Sequence, residues 1–263
     1  MKLGIITSHD AAGIERVRHY GLDYAEFDVN GDDITYLTND AAVASILEAM
    51  KKNDVAMSAV GRWGRNRLNA DGSVNEKEFS QEKELIDLCI TLGCPVYISG
   101  MNYVKDISYF SNISAAIAYF QALIEYAAGK VKICTYNCDW NSYVNTPKAW
   151  ELIHGHLPEL GIKFDPSHTI NGGRDYLREA VEWSSRFYHV HIKGTINVAG
   201  VHVDDPPAGL DMINWSAFLS ILRHSKYDGV LSFEPHSETW QGELGEKGLE
   251  YSIRYIKKLT FAE

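Results

Sequence analysis

The sequence predicts an α/β protein folded as a single (β/α)8 TIM barrel, one domain over residues 1–263. Eight short apolar runs rich in β-forming residues recur along the chain, and longer stretches with helical periodicity separate them. This repeated order of strand and helix indicates parallel strands joined by crossover helices. No glycine-rich dinucleotide fingerprint follows any run, so a closed barrel is favoured over an open nucleotide-binding sheet.

The predicted elements alternate along the whole chain. The strands are predicted at residues 3–7, 24–29, 55–60, 95–99, 131–137, 162–165, 187–193 and 230–234. The helices between them are predicted at residues 41–52, 76–92, 113–128, 146–159, 176–184, 215–224 and 246–258. Two helix starts carry a capping residue ahead of the helix, in the segments Asn145-Thr146-Pro147 and Ile213-Asn214-Trp215.

The longest irregular segments, residues 61–75, 138–146 and 194–213, each follow a predicted strand. Loops at the carboxyl ends of barrel strands build the active face of this fold, and long loops are usually functional. The last of the three is rich in charge and turn residues between Asp204 and Gly209, and we interpret it as a candidate lid.

Composition and charge argue against two classes of partner. The formal net charge of −10 and the pI near 5.5 disfavour nucleic acid, whose phosphates require a basic surface. No apolar run reaches the ~18 residues of a membrane span, and the chain starts at once with a strand, so a cytoplasmic location is expected. The cysteines lack zinc-finger spacing and are expected as buried thiols without a disulfide: Cys89, Cys94, Cys134 and Cys138.

Three predicted strands end in residues that bind divalent metals: Asp165, His191 and Glu234. Because parallel barrel strands present their carboxyl ends at one edge, the three side chains are expected to converge. Two carboxylates and an imidazole are a donor set suited to a divalent cation. Asp165 is alternatively a turn former before a proline, although the Ser-His pair that follows favours function. A carboxylate such as Glu234 is costly to bury unless it is paired or metal-bound.

Several motifs resemble those of the xylose-isomerase-like superfamily of sugar isomerases and epimerases. The likeness covers nearly the whole chain and is carried by Tyr20-Gly-Leu-Asp-Tyr-Ala-Glu26, Phe164-Asp-Pro-Ser-His168, His189-Val-His-Ile-Lys193 and Ser232-Phe-Glu-Pro235. In that family a Glu, an Asp, a His and a Glu on strands five to eight hold manganese, magnesium, cobalt or zinc. The resemblance therefore implies Asp165, His191 and Glu234 as metal ligands. It also selects His191 over His189, which shares its face.

One position departs from the family pattern. The fifth strand should end in a Glu-Asn pair, and the matching residues are Tyr136 and Asn137. A phenol near a divalent cation has a lowered pKa, so Tyr136 is interpreted as a phenolate ligand or a general acid. The three remaining ligands balance a 2+ charge and leave positions open for substrate oxygens.

Other residues at the strand exits are candidates for contact with the substrate. His168 suits a hydrogen bond to a sugar hydroxyl, and Lys193 would neutralise an enolate oxygen unless it is a solvated surface lysine. Trp63 is either a plate for a sugar face or a packing residue, and Glu26 is either a barrel-mouth acid or the partner of an arginine. The further candidates are Asn137, Arg62, His236 and Trp140.

The predicted function is a metal-dependent isomerase or epimerase of a keto-sugar or polyol, acting through an enediolate. Glu234 would be ligand and base, with Tyr136 or Lys193 delivering a proton on the other side. The first alternative is a metal-dependent lyase that removes water from an inosose or a 3-keto-sugar, since one carboxylate base is enough for elimination. The second is a non-catalytic sugar-binding barrel. The superfamily's DNA-repair endonucleases require a multi-metal ligand set and a basic surface, which are not evident. Members of the superfamily often form dimers, so a homodimer is compatible with the resemblance, and the oligomeric state stays open.

Overall fold

The structure is a computed structural model that describes residues 1–262, and it is a closed barrel of eight parallel strands. The strands follow chain order around the barrel, and the last closes on the first. They are β1 (Lys2–Ile6), β2 (Tyr24–Asp28), β3 (Ala56–Gly61), β4 (Val96–Ser99), β5 (Lys132–Tyr136), β6 (Gly161–Phe164), β7 (Phe187–Ile192) and β10 (Val230–Phe233). All eight predicted strands are present within one residue at each end, and the predicted barrel fold is confirmed.

Helices surround the barrel and connect its strands. They are α1 (Ala11–His19), α2 (Thr35–Thr38), α3 (Asp40–Asn53), α4 (Glu76–Leu92), α5 (Tyr109–Ala127), α6 (Pro147–His156), α7 (Pro166–Asn171), α8 (Tyr176–Trp183), α9 (Trp215–His224) and α10 (Gly242–Thr260). The seven predicted helices are all present, and α4 and α9 begin and end where predicted. Helices α1, α2 and α7 were not predicted; α2 and α7 have four and six residues, too few for helical periodicity to be recognised.

A β-hairpin corrects the expectation that residues 194–213 are irregular throughout. Strands β8 (Ile196–Val198) and β9 (Val201–Asp204) pair antiparallel in the loop after β7. Ala199 and Gly200, with φ of 53° and 86°, form the turn between them, and two successive residues at positive φ are typical of a tight hairpin. The runs on either side are too short for their alternation to predict strands.

The register of the barrel strands decides which side chains point into the barrel. Along β6, Phe164 packs outward against the rings of Phe187 and Phe218. Its neighbours in the strand direction, Lys163 and Asp165, therefore point inward. Lys163 is paired in register with Tyr136 of β5 and His189 of β7, so a layer of polar side chains lies below the barrel mouth.

The cysteines agree with the expectation from the sequence. All four cysteines are buried and unpaired. Among residues 1–262, every helix is too short or too polar to cross a membrane.

Candidate active site at the carboxyl end of the barrel

Asp165, His191 and Glu234 meet at the carboxyl end of the barrel. Their candidate ligand atoms all lie within 4.8 Å of one another. The convergence follows from the strand order, because β6, β7 and β10 are successive neighbours in the barrel. Asp165 and His191 are buried, whereas the side chain of Glu234 is 22% exposed and opens toward solvent.

A cavity of about 500 Å³ lies over this cluster. Its polar floor and aromatic walls suit a ligand with several hydroxyl groups. The lining residues are Ile6, Asp28, Asn30, Trp63, Cys138, Asp139, Trp140, Lys163, His168, Lys193, Glu234 and His236.

His191 links the barrel mouth to a deeper carboxylate. Its Nδ1 lies 2.9 Å from Oε2 of Glu234, and its Nε2 lies 2.8 Å from Oε1 of Glu26. Because both ring nitrogens face carboxylate oxygens, both carry protons and the ring is an imidazolium. Burial alone would lower the pKa of His191, but the negative charges of Glu26 and Glu234 outweigh it and raise the pKa.

Glu26 also fixes the second histidine of β7. Its Oε2 lies 2.9 Å from Nε2 of His189, and both side chains are buried. Burial would raise the pKa of Glu26, but the two histidines hold it well below its usual value. Burial lowers the pKa of His189 despite Glu26, so His189 is the neutral histidine of the barrel interior. His191 is the one beside Asp165 and Glu234.

The two carboxylate oxygens of Asp165 have different environments, one satisfied by hydrogen bonds and one without a hydrogen bond among the residues that the structure describes. Oδ1 accepts hydrogen bonds from the main-chain N–H of Ser167 at 2.9 Å and from its hydroxyl at 2.7 Å, which caps α7. Oδ2 is buried and has no hydrogen-bond partner in residues 1–262. The turn-forming role expected as an alternative is thus present, and it leaves one oxygen facing the site.

Lys193 and His168 form a pair beside that free oxygen. The ammonium of Lys193 lies 3.1 Å from Nε2 of His168, 3.7 Å from Oδ2 of Asp165 and 4.0 Å from Oε2 of Glu234. Burial lowers the pKa of His168 to about 4, so its ring is neutral near pH 7 and accepts the Lys193 proton. Burial would lower the pKa of Lys193, but Glu234 and Asp165 outweigh it and raise the pKa. Lys193 is 4% exposed and is not a solvated surface lysine.

Lys163 also belongs to this site, although sequence reasoning missed it. Its side chain is 1% exposed, lines the cavity floor, and places Nζ 3.9 Å from Oδ2 of Asp165. A signal was available in the sequence. In Gly161-Ile-Lys-Phe-Asp165, alternation puts the lysine on the same inward face as Asp165.

The structure gives Tyr136 a structural environment. Its side chain is fully buried, and its ring centre is 5.7 Å from that of Trp63. The hydroxyl donates to the main-chain oxygen of Trp140 at 2.9 Å and accepts from the N–H of Gly64 at 3.3 Å. Burial raises the pKa of Tyr136 to about 12. The expected phenolate ligand or general acid does not match this geometry, because the proton is held by a main-chain carbonyl.

Arg62 and Asn137 also need correction, since neither lines the cavity. The guanidinium of Arg62 is fully buried on the outside of the barrel, 3.1 Å from Oε2 of Glu78 and 2.9 Å from the main-chain oxygen of Val29. The side chain of Asn137 donates to the main-chain oxygen of Asp165 at 2.8 Å and accepts from its N–H at 2.9 Å. Arg62 anchors the loop after β3, and Asn137 positions Asp165; neither is placed to bind substrate.

Trp63, Trp140 and His236 form the walls of the cavity. The ring centre of Trp63 lies 6.3 Å from that of His191, whereas Trp140 is 56% exposed. His236 is largely exposed, and its Nδ1 lies 3.4 Å from Oδ2 of Asp205 in the loop that carries the hairpin. These positions are compatible with the substrate-binding roles expected for Trp63 and His236.

The loop after β3, which carries Trp63, and the loop after β5, which carries Trp140, are in contact at Gly64. This residue has a φ of 71°, and a Cβ on it would lie 2.5 Å from the indole of Trp140. The side chain of Asn141 donates to the main-chain oxygen of Arg65 at 3.1 Å and to Oδ1 of Asn66 at 2.8 Å. The loop after β3 and the loop after β5 therefore pack as one wall.

The donor set fits a divalent metal in geometry but not in charge. Oδ2 of Asp165, Nδ1 of His191 and Oε2 of Glu234 converge, and the unpartnered Asp165 oxygen is suited to a cation. However, Tyr136 stands at the position where the resemblance implies the fourth carboxylate ligand, and two ammonium groups already lie within 4.0 Å of the Asp165 oxygen. As arranged, these residues do not fit a tightly held divalent ion.

A family model described as xylose isomerase-like TIM barrel matches residues 14–259, and the chain belongs to this family. The uncharacterized protein YfiH of Bacillus subtilis (strain 168) is 27% identical over 177 residues, which span 59% of this chain and 56% of that protein. The chain thus matches little more than half the length of this curated relative.

Two solved structures show the same fold. A xylose isomerase domain protein from Planctomyces limnophilus has a TM-score of 0.79 at 15% identity, covering 98% of this chain and 96% of that one. A D-allulose 3-epimerase from Methylomonas sp. has a TM-score of 0.75 at 18% identity, covering 98% of both chains.

Proposed function

We propose that this chain is an isomerase or epimerase of a keto-sugar or polyol, acting through an enediolate. The observation that carries the proposal is the carboxylate of Glu234, which opens into the cavity between the charged His191 and Lys193. Membership of the xylose isomerase-like family supports a sugar as the substrate class.

Glu234 is the proposed base. Burial would raise its pKa, but Lys193 and His191 hold the pKa well below its usual value, so the carboxylate is ionised and able to accept a proton. It would remove the proton from the carbon next to the substrate carbonyl. The C–H electron pair then forms the C=C bond, and the carbonyl oxygen takes up the negative charge.

Lys193 and His168 are proposed to stabilise the negative charge on the enediolate oxygen. The ammonium of Lys193 faces the cavity next to Glu234 and would stabilise the enediolate oxygen. A proton returned by the Lys193–His168 pair to the opposite face of the same carbon gives an epimer, and a proton returned to the neighbouring carbon gives an isomer.

The divalent metal that the resemblance implies, manganese, magnesium, cobalt or zinc held by Asp165, His191 and Glu234, stays a prediction. The unpartnered Asp165 oxygen supports it, whereas the two neighbouring ammonium groups oppose it.

The lyase is retained as the second candidate function. Among the residues that converge on Asp165, Glu234 is the one carboxylate partly open to the cavity, and a single base is sufficient to eliminate water β to a carbonyl. A cytoplasmic location, homodimerisation and the non-catalytic sugar-binding alternative stay predictions from the sequence.

Incubation with a panel of ketoses and inososes in deuterated water, followed by NMR, separates these functions. Deuterium entering one carbon without loss of oxygen supports the isomerase or epimerase. Loss of water supports the lyase instead. Binding of a sugar without exchange of any carbon-bound hydrogen, with or without added metal, contradicts both and leaves the binding protein.

A further inference from the structure

Two buried ammonium groups already lie beside the carboxylates of the barrel mouth. Nζ of Lys163 and Nζ of Lys193 lie 3.9 Å and 3.7 Å from Oδ2 of Asp165, and Nζ of Lys193 lies 4.0 Å from Oε2 of Glu234. A divalent ion that approached Asp165 would be repelled by both ammonium groups.

Lys163 reaches the site from below, where the fifth strand lacks a carboxylate. Its register partner on β5 is Tyr136, so the ammonium rises on the side of the barrel that carries the phenol. Oδ2 of Asp165 has no hydrogen-bond partner within residues 1–262, and at 3.9 Å the ammonium of Lys163 is too distant to supply one. A buried ammonium and a free carboxylate oxygen thus face the same cavity floor.

We propose that Lys163 and Lys193 are the resident cations of this site, and that their ammonium groups, rather than a metal ion, bind the carbonyl oxygen of the substrate. The ammonium protons hydrogen-bond to that oxygen and stabilise its negative charge while Glu234 holds the proton taken from carbon. Glu234 returns this proton to the neighbouring carbon to give an isomer; alternatively, the Lys193–His168 pair protonates the opposite face of the same carbon to give an epimer, and the proton on Glu234 then restores the pair. No covalent bond to either lysine forms. The assignment of the bound atom as a substrate carbonyl oxygen rests on the proposed function. The exclusion of a metal ion by the two ammonium groups does not.

Calorimetric titration with Mn²⁺, together with metal analysis of the purified protein, tests the claim directly. The variants are Lys163→Met, the double variant Tyr136→Glu with Lys163→Met, and Lys132→Met as the control. Lys132 is an exposed lysine on the neighbouring strand at the opposite end of the barrel. Thermal unfolding of each variant verifies that it is folded, and Lys163→Gln is a second variant that keeps a polar group.

Removing the ammonium should tighten Mn²⁺ binding by about tenfold or more, since two like charges a few ångströms apart repel strongly at a partly buried site. The double variant, which adds the fourth carboxylate, should bind tighter still, and Lys132→Met should match the wild type. A wild-type protein that retains one equivalent of metal through dialysis against a chelator would overturn the proposal. Unchanged or weaker Mn²⁺ binding by both Lys163 variants would also overturn it.

A second experiment, independent of the Mn²⁺ titration, follows the exchange of carbon-bound hydrogen in a sugar substrate. Carbon-bound hydrogen exchange that persists in chelator and is lost in Lys163→Met supports the lysines as the oxygen-binding cations. Exchange that occurs only with added metal overturns them. If no sugar exchanges its carbon-bound hydrogen under any condition, the proposed function fails. The Mn²⁺ titration still decides whether the lysine ammonium groups exclude a metal ion.

Discussion

The Nε2 atom of His191 lies 2.8 Å from Oε1 of Glu26, on the far side of the ring from Glu234. The other oxygen of Glu26 holds His189. One buried carboxylate on β2 therefore orients both histidines of β7 and makes the one at the mouth positively charged.

Replacing Glu26 by Gln should destabilise the fold by about 3 kcal/mol, because the charged His191 would lose its buried partner. Urea unfolding at pH 7 measures this loss. Glu48→Gln, at an exposed position of α3, is the matched control and should leave the free energy of unfolding unchanged. A Glu26→Gln protein as stable as the wild type would contradict the assigned charge of His191.

Replacing Glu234 by Gln should slow hydrogen exchange at the substrate carbon by about 10²- to 10⁴-fold, the usual contribution of a positioned base. The shape of the side chain is kept, so the protein should stay folded by circular dichroism. Glu238→Gln, four residues further along in an exposed loop, should exchange at the wild-type rate. Full activity of Glu234→Gln would remove this residue from the mechanism.

Replacing Tyr136 by Phe should cost about 1 kcal/mol of stability, through the loss of the hydrogen bonds to Trp140 and Gly64. The exchange rate should stay within about threefold of the wild type, because the hydroxyl proton is held by a carbonyl and is not offered to the cavity. A loss of exchange without a loss of stability would show that the phenol is catalytic.

His154 should make the protein less stable in acid. Its Nδ1 lies 3.0 Å from the carbonyl oxygen of Leu160, its Nε2 lies 2.9 Å from the hydroxyl of Thr135, and burial lowers its pKa to about 3. Below about pH 6.5 the unfolded chain binds a proton at this histidine that the folded protein does not take up until about pH 3. Since the unfolded state binds more protons, stability falls as the pH falls through this window.

The contribution of His154 between pH 7 and pH 5 is up to about 2 kcal/mol. Urea unfolding at several pH values measures it, and His154→Gln should show a flatter dependence of stability on pH. His156→Gln, two residues further along α6 and exposed, should keep the wild-type slope. Equal slopes for all three proteins would contradict the buried neutral state of His154.

Local sequence patterns were sufficient for the barrel and for part of the site. Each strand is a short apolar run, and this pattern predicted the eight strands; the polar residues in three of these runs predicted the positions of Asp165, His191 and Glu234. The contact between Glu26 and His191 spans 165 positions in the sequence and exists only because the barrel closes. A pattern confined to neighbouring residues does not contain that information.

The wrong assignments share a cause. Arg62 and Asn137 stand at strand exits, as substrate-binding residues do, but one points outward to Glu78 and the other toward the main chain of Asp165. The direction of a side chain just beyond a strand depends on the loop that follows. Lys163 was missed for the opposite reason, because it lies inside a strand and looks like an interruption of an apolar run.

The contacts of Gly64, Trp140 and Asn141 make the loop after β3 and the loop after β5 depend on each other, so the two loops are expected to change together in evolution. A larger residue at Gly64 would collide with the indole of Trp140, and a shortened loop after β5 would remove the amide that holds the loop after β3. Substrate range could therefore not be redesigned by grafting either loop alone. A chimera should function only when both are exchanged together from the same donor barrel.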